Sequence, residues 1–273
     1  PLDFVEISST ELDNDSYQAA EKQYMQNNVK LAINGFTNYI AKFPNGLHIL
    51  KANFYLAEMY FADQLYNNAA QYYENVVSRI RNEFTEQSLV RLSEIYIKDK
   101  NIEKAIAILK RIENEADFPQ NKNYAQANLM KMYYEGEDYK NAEIYSNKVL
   151  QNDKVDAKIK SDAQIIIARS AIKTDNLAKA QTAYAELQKI ATGELAAEAL
   201  YYDAYFKNRE GKFTESSAVV QKLAKDFSGY KYFGSKGLII MAKNFYANGD
   251  AFQATYILES VIKNFSSYTD VVD

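Results

Sequence analysis

Apolar residues along this chain fall into stripes with helical spacing, interrupted at regular intervals by short polar turns. Before one turn they recur as Phe54, Leu56, Ala57, Tyr60 and Phe61; after another they recur as Ala254, Ile257, Leu258, Val261, Ile262 and Phe265. The second set runs i, i+3, i+4, i+7, i+8, i+11, which places all six on one face of a helix. Between the stripes lie polar stretches at residues 64–67, 100–102, 137–139, 174–176, 211–213 and 248–250. Their Asn, Asp and Gly residues stop one helix and cap the next. The pattern predicts consecutive antiparallel helix pairs and no strand.

The pairs repeat. Tyr60 and Ala69 are separated by eight residues, as are Tyr96 and Ala105, and Tyr133 and Ala142. Weaker copies end on Ala180, Ser216 and Ala254, and an earlier one, a residue shorter, on Ala32. These small residues recur about every 37 positions, a period that marks a stack of supersecondary units. A small side chain there lets two antiparallel helices approach closely. Several second helices end in Phe followed by Pro or Ser (Phe43-Pro44, Phe118-Pro119, Phe227-Ser228, Phe265-Ser266), and Pro disfavours helix in the residue before it. The repeats span roughly 15–45, 46–82, 83–119, 120–153, 154–191, 192–229 and 230–266. Residues 1–14 read as a polar lead-in, strapped or mobile, and 267–273 as a tail or the start of a further repeat. Solenoids need a polar outer cap. Further repeats past Asp273, or a dimer contact at that end, are therefore expected.

Tyr in the first helix, Ala opening the second and a terminal Phe-Pro resemble the tetratricopeptide repeat, over residues 15–266. The period is longer than that family's 34, and its first-helix Trp and Gly are absent. The resemblance implies an all-α, right-handed α-solenoid of about seven helix–turn–helix repeats. Repeats one and two are similar to those of bacterial cell-envelope proteins, namely outer-membrane assembly lipoproteins and Tol–Pal coordinating proteins. That similarity implies a place in the periplasm or cell envelope, with the cytoplasm as the alternative.

Composition agrees with helices and bounds the chemistry. The 273 residues hold only 9 Gly and 3 Pro, too few for a sandwich or barrel with its frequent turns. Lys plus Arg is 32 against 36 Asp plus Glu, a net charge of −4 without a basic stripe, which argues against nucleic acid as a partner. No apolar run is long enough to span a bilayer. Cysteine is absent, so no disulfide or thiolate zinc site is available. His48 is the one histidine and falls at the start of a first helix, an ordinary boundary position. Residues 234–237 (Gly-Ser-Lys-Gly) lack the phosphate-loop spacing and read as an inter-repeat turn. Glu113 and Glu115, two apart, do not share a helix face. No catalytic set, metal site or cofactor is expected, and the chain reads as non-enzymatic.

A partner is then a protein or peptide. With the small residue counted as position 20, the family resemblance places positions 5, 9 and 12 of each first helix on a concave groove. The candidates are Phe54, Glu58 and Phe61; Glu94; Lys131 and Tyr134; Arg169; Tyr201 and Tyr205; Lys243 and Tyr246. Position 5 is never Lys, so the family's carboxylate clamp is missing. Glu58 and Glu94 would take the basic end of a ligand and Lys131, Arg169 and Lys243 the acidic end. On this reading Phe54, Phe61, Tyr134, Tyr201, Tyr205 and Tyr246 are exposed; packing between helices is the alternative for the tyrosines. The function expected is a protein–protein interaction scaffold. A ligand- or peptide-sensing regulatory domain and a structural spacer within a longer array are the alternatives.

Overall fold

The computed structural model describes residues 2–273, with side chains from residue 9 onwards. Among the described residues there is no strand; the elements are helices in sequence order. They are Leu2–Met25 (α1), Val29–Lys42 (α2), Ile49–Ala62 (α3), Tyr66–Val77 (α4), Thr85–Lys98 (α5), Ile102–Glu115 (α6) and Pro119–Glu135 (α7). Tyr139–Leu150 (α8), Ala157–Lys173 (α9), Leu177–Ile190 (α10), Gly193–Arg209 (α11), Phe213–Asp226 (α12), Lys231–Ala247 (α13) and Ala251–Asn264 (α14) follow, then a single turn, Thr269–Val272 (α15). The chain divides into two compact units, Pro1–Met132 and Tyr133–Asp273, each a helical-repeat stack in which consecutive helices pack on one another.

Every helix pair is closed by a three-residue turn of one form. Its middle residue takes a positive φ: Asn27, Gln64, Lys100, Glu137, Asp175, Gly211 and Gly249. The third residue's N–H bonds back five residues, as in Leu65 to Tyr60, Asn101 to Tyr96 and Asp250 to Phe245. This is the Schellman closure, which satisfies carbonyls that a helix end leaves open. In four turns the third residue also caps the next helix: the side chains of Asn101, Asp138, Asn176 and Asp250 accept from a backbone N–H three residues on. Of the left-handed positions named above, Gly holds only two. The small residues that set the repeat, Ala32, Ala69, Ala105, Ala142, Ala180 and Ser216, are fully buried.

Two expectations need correction. Residues 2–14 are no separate lead-in, for α1 runs unbroken from Leu2 to Met25. Asp13 fixes it: one carboxylate oxygen accepts from the Tyr39 hydroxyl at 2.5 Å, the other from the Leu47 N–H at 2.9 Å. The Tyr39 hydroxyl in turn accepts from the His48 N–H. Gly46 is required beside this knot, since a Cβ there would lie 2.4 Å from the Tyr39 oxygen. His48 caps this boundary with its ring stacked on Tyr17 and Nε2 2.7 Å from Asn14 Oδ1. The second correction concerns residues 234–237, which lie inside α13 and not in a turn. Gly237 is there for packing: a Cβ would stand 3.1 Å from Leu223 of α12.

Candidate functional site

In the first unit, Phe54 leads the groove candidates and is buried. Its ring stacks on Phe84, centroids 4.6 Å apart, at the entrance to the next repeat. Phe61 is half-buried beneath the Arg91 guanidinium, 4.5 Å above its ring. Arg91 also neutralises both acidic candidates: Glu94 lies 3.1 Å away and Glu58 3.7 Å. Glu58 further accepts from the Tyr73 hydroxyl. The two carboxylates are therefore spoken for, and this face offers no free negative charge for a basic ligand at those positions. Lys131 is half-buried. A cleft of about 770 Å³ opens beside this cluster, between Val90 and Arg91 of α5 and the start of α7. Of the acids that line it, Glu86 is likewise engaged, accepting from the N–H groups of Asp117 and Phe118 and from the Asn121 amide, and Asp117 pairs with Arg81 at 2.7 Å.

In the second unit, Arg169 is fixed by a partner that the repeat positions did not single out. Its guanidinium makes a two-pronged ion pair with Glu198 on α11, Nε to Oε1 at 3.0 Å and Nη2 to Oε2 at 2.5 Å. Glu198 is buried, and the Tyr184 hydroxyl donates to it at 2.8 Å. Burial beside this carboxylate raises the Tyr184 phenol above its ordinary range, and the Glu198 hydrogen bonds raise the Arg169 guanidinium. Arg169 is thus no free cation awaiting an acidic ligand. Exchanging it for Glu would set two carboxylates together and disturb the fold.

The tyrosines divide. Tyr201 is buried, edge-on to Tyr202 and 6.2 Å from Phe233, so the exposure expected of it and of Phe54 is overturned. The cause is shared: position 5 packs on the residue that opens the next repeat, Phe84 in one unit and Phe233 in the other. Tyr134 and Tyr205 are half-buried, Tyr134 against Tyr139 and Tyr205 against Tyr202 and Phe206. Lys243 is exposed, and Tyr246 is 71% exposed.

What the second unit does bring together is a cleft of about 230 Å³ walled by Tyr134, Arg169, Tyr202, Tyr232, Phe233 and Lys236. Its Gly-Ser-Lys-Gly setting gives Lys236 the look of a turn residue in the sequence, but it lies on a helix. It extends from α13 with its ammonium 4.8 Å from the Tyr201 ring centre and 5.2 Å from that of Tyr232. Among the described residues no carboxylate is paired with it. Burial lowers its pKa below the usual lysine value. The Tyr232 hydroxyl donates to Asp270 at 2.7 Å, which raises its pKa to about 12. An ammonium held on two aromatic faces, with the one buried carboxylate already taken, favours an anionic group on an apolar segment. Among the described residues no cluster of His, Asp and Glu could hold a metal ion, and no helix is long and apolar enough to cross a membrane.

No protein-family model matches the chain, and no curated protein matches it. Solved structures do. The C-terminal part of a TPR repeat-containing protein from Cytophaga hutchinsonii is 15% identical, over 94% of this chain and 98% of that one, with a TM-score of 0.60. The structure of Naa15/Naa10 bound to HypK-THB matches at 13% identity and a TM-score of 0.52, over 95% of this chain and 38% of that one. A tetratricopeptide repeat protein from Parabacteroides merdae is 13% identical, over 95% of this chain and 97% of that one, with a TM-score of 0.47. At such identities the likeness to the first two establishes the fold alone.

Proposed function

We propose, from the premise that the chain has the fold of the tetratricopeptide-repeat superfamily, that it is a non-enzymatic protein-interaction scaffold which binds a peptide segment on its first helices. The segment is acidic and apolar, and it seats a carboxylate against Lys236 and apolar side chains against Tyr134, Tyr202 and Phe233. The observation that carries this reading is Lys236 itself. It is a half-buried ammonium with aromatic partners and, among the described residues, no carboxylate within ion-pair distance, Asp270 and Glu198 acting on it only from farther off, beside a cleft with space for one side chain. The related structure bound to HypK-THB supports the general role, since it shows the same fold engaged with another protein. A place within a larger bacterial cell-envelope protein is proposed with it, on the likeness of repeats one and two; fractionation of the native cell tests that part.

An array of synthetic peptides varying in charge and apolar content tests the binding. Peptides with a carboxylate flanked by Leu or Phe are expected to bind, and Lys236→Glu to weaken them by about 1–3 kcal/mol. Retention of basic peptides alone, or equal binding by Lys236→Glu, would overturn the reading.

A further inference from the structure

Three first helices each give the cleft beside Lys236 a pair of side chains one helical turn apart. They are Arg169 and Lys173 from α9, Glu198 and Tyr202 from α11, and Tyr232 and Lys236 from α13. The charges of these pairs do not cancel. Arg169 and Glu198 neutralise each other through their two hydrogen bonds. Asp270 accepts from the Tyr232 hydroxyl and reaches Lys236 only from farther off. Lys236 and Lys173 are left, and among the described residues neither has a carboxylate within ion-pair distance. Lys173 is exposed in the last turn of α9, where the open carbonyls of a helix end favour a positive charge. One carboxylate set against Lys236 would leave Lys173 unanswered. A phosphoryl group brings close to two negative charges and three acceptor oxygens at neutral pH, enough for both ammoniums.

The uncharged walls say what carries that group. Tyr202 lies flat on Tyr184 with ring centres 4.1 Å apart, and Phe233 meets Tyr232 edge-on at 5.2 Å, so the aromatic walls are held before anything binds. Rings fixed in this way accept a further ring by offset stacking or edge contact. The cleft, about 230 Å³, is smaller than the roughly 300–1,000 Å³ of sites that enclose a whole small molecule. It suits one side chain projecting from a longer segment.

We propose that the cleft selects a phosphorylated tyrosine within the bound segment. Its ring lies among Tyr134, Tyr202 and Phe233, and its phosphoryl oxygens accept from the Lys236 and Lys173 ammoniums. This rests on the reading of the cleft as a peptide site and adds a preference to it: a segment phosphorylated at that position is held more tightly than one bearing a carboxylate there.

Fluorescence anisotropy with the intact chain tests this, using one labelled Leu-rich peptide whose central residue is phosphotyrosine, phosphoserine, Glu or Tyr. The phosphotyrosine form is expected to bind about tenfold or more tighter than the Glu form. Lys173→Ala should bring the ratio of those two affinities close to one while circular dichroism is unchanged. Equal binding of the phosphotyrosine and Glu forms by the wild type overturns the preference and leaves the peptide site standing, whereas binding of none of the four overturns both. A ratio untouched by Lys173→Ala overturns the preference too. So does a phosphoserine form bound as tightly, which would remove the ring from recognition. Free phosphotyrosine competing as well as the peptide would make this a small-molecule site and likewise overturns the proposal.

Discussion

Arg169 on α9 and Glu198 on α11 meet through two parallel hydrogen bonds, one first helix reaching the next across the repeat boundary. The two members are not equally placed. The Glu198 side chain is 4% exposed and that of Arg169 39%. Removing Arg169 strands a buried carboxylate with only the Tyr184 hydroxyl, whereas removing the charge of Glu198 leaves a guanidinium that can turn to water. Arg169→Ala should therefore cost about 3 kcal/mol or more, and Glu198→Gln roughly half that, as read from urea midpoints. Equal losses would mean that the pair is solvated from both sides.

Gly35 marks the closest approach of α2 to α1. A Cβ there would lie 2.8 Å from the Ala20 Cβ and 3.1 Å from its Cα. Ala is the better helix former by about 1 kcal/mol, so propensity alone makes Gly35→Ala stabilising. The contact decides otherwise: overpacking should give a net loss of about 1–3 kcal/mol. The double variant with Ala20→Gly should recover part of it, measured by thermal unfolding.

The positive-φ turns offer a repeat-by-repeat comparison. Gln64 (φ 61°), Lys100 (φ 55°) and Glu137 (φ 60°) hold a conformation that costs a side-chain-bearing residue about 1 kcal/mol relative to Gly. Substitution by Gly should raise stability by up to that amount at each. Asp175, of a type that tolerates this region, should gain less, and Gly211→Ala should lose about 1 kcal/mol or more. A flat response across the five sites would show that the turns are not held in this geometry.

Why the helices were legible and the site only partly so follows from the same residues. A period near 37 repeats each local signal, so Ala69, Ala105 and Ala142 report one packing position many times over. The groove candidates came from positions 5, 9 and 12, which name side chains on one helix and say nothing of its neighbour. Glu198 and Lys236 share position 2, and Arg91 is at position 6; each acts on the preceding repeat, 33 residues or so away in sequence. The burial of Phe54 and Tyr201 has the same origin, since Phe84 and Phe233 cover them from the next repeat. Asp13 lay in a stretch with no apolar stripe, so nothing local pointed to its hold on Tyr39.

Alkaline pH should loosen this fold through its tyrosines. Burial, reinforced by Glu21 and Asp13, raises the Tyr17 and Tyr39 phenols; burial with Glu58, Glu74 and Glu198 raises Tyr73, Tyr96 and Tyr184. Tyr232, hydrogen-bonded to Asp270, is raised to about 12. In the unfolded chain these groups lose their protons near pH 10. Above that the folded state binds more protons than the unfolded one, so stability falls as pH rises. The contribution is fully present below about pH 10 and is lost as pH climbs through each folded value. Lys236 works in the opposite sense, because its lowered pKa makes the folded state release a proton first, but it is one group against many. Urea midpoints should hold steady to about pH 9 and then drop steeply, with tyrosinate absorbance rising in step with unfolding. Tyr232→Phe should soften the part of the drop between about pH 10 and 12. A midpoint unchanged up to pH 12 would mean that these phenols ionise as freely folded as unfolded.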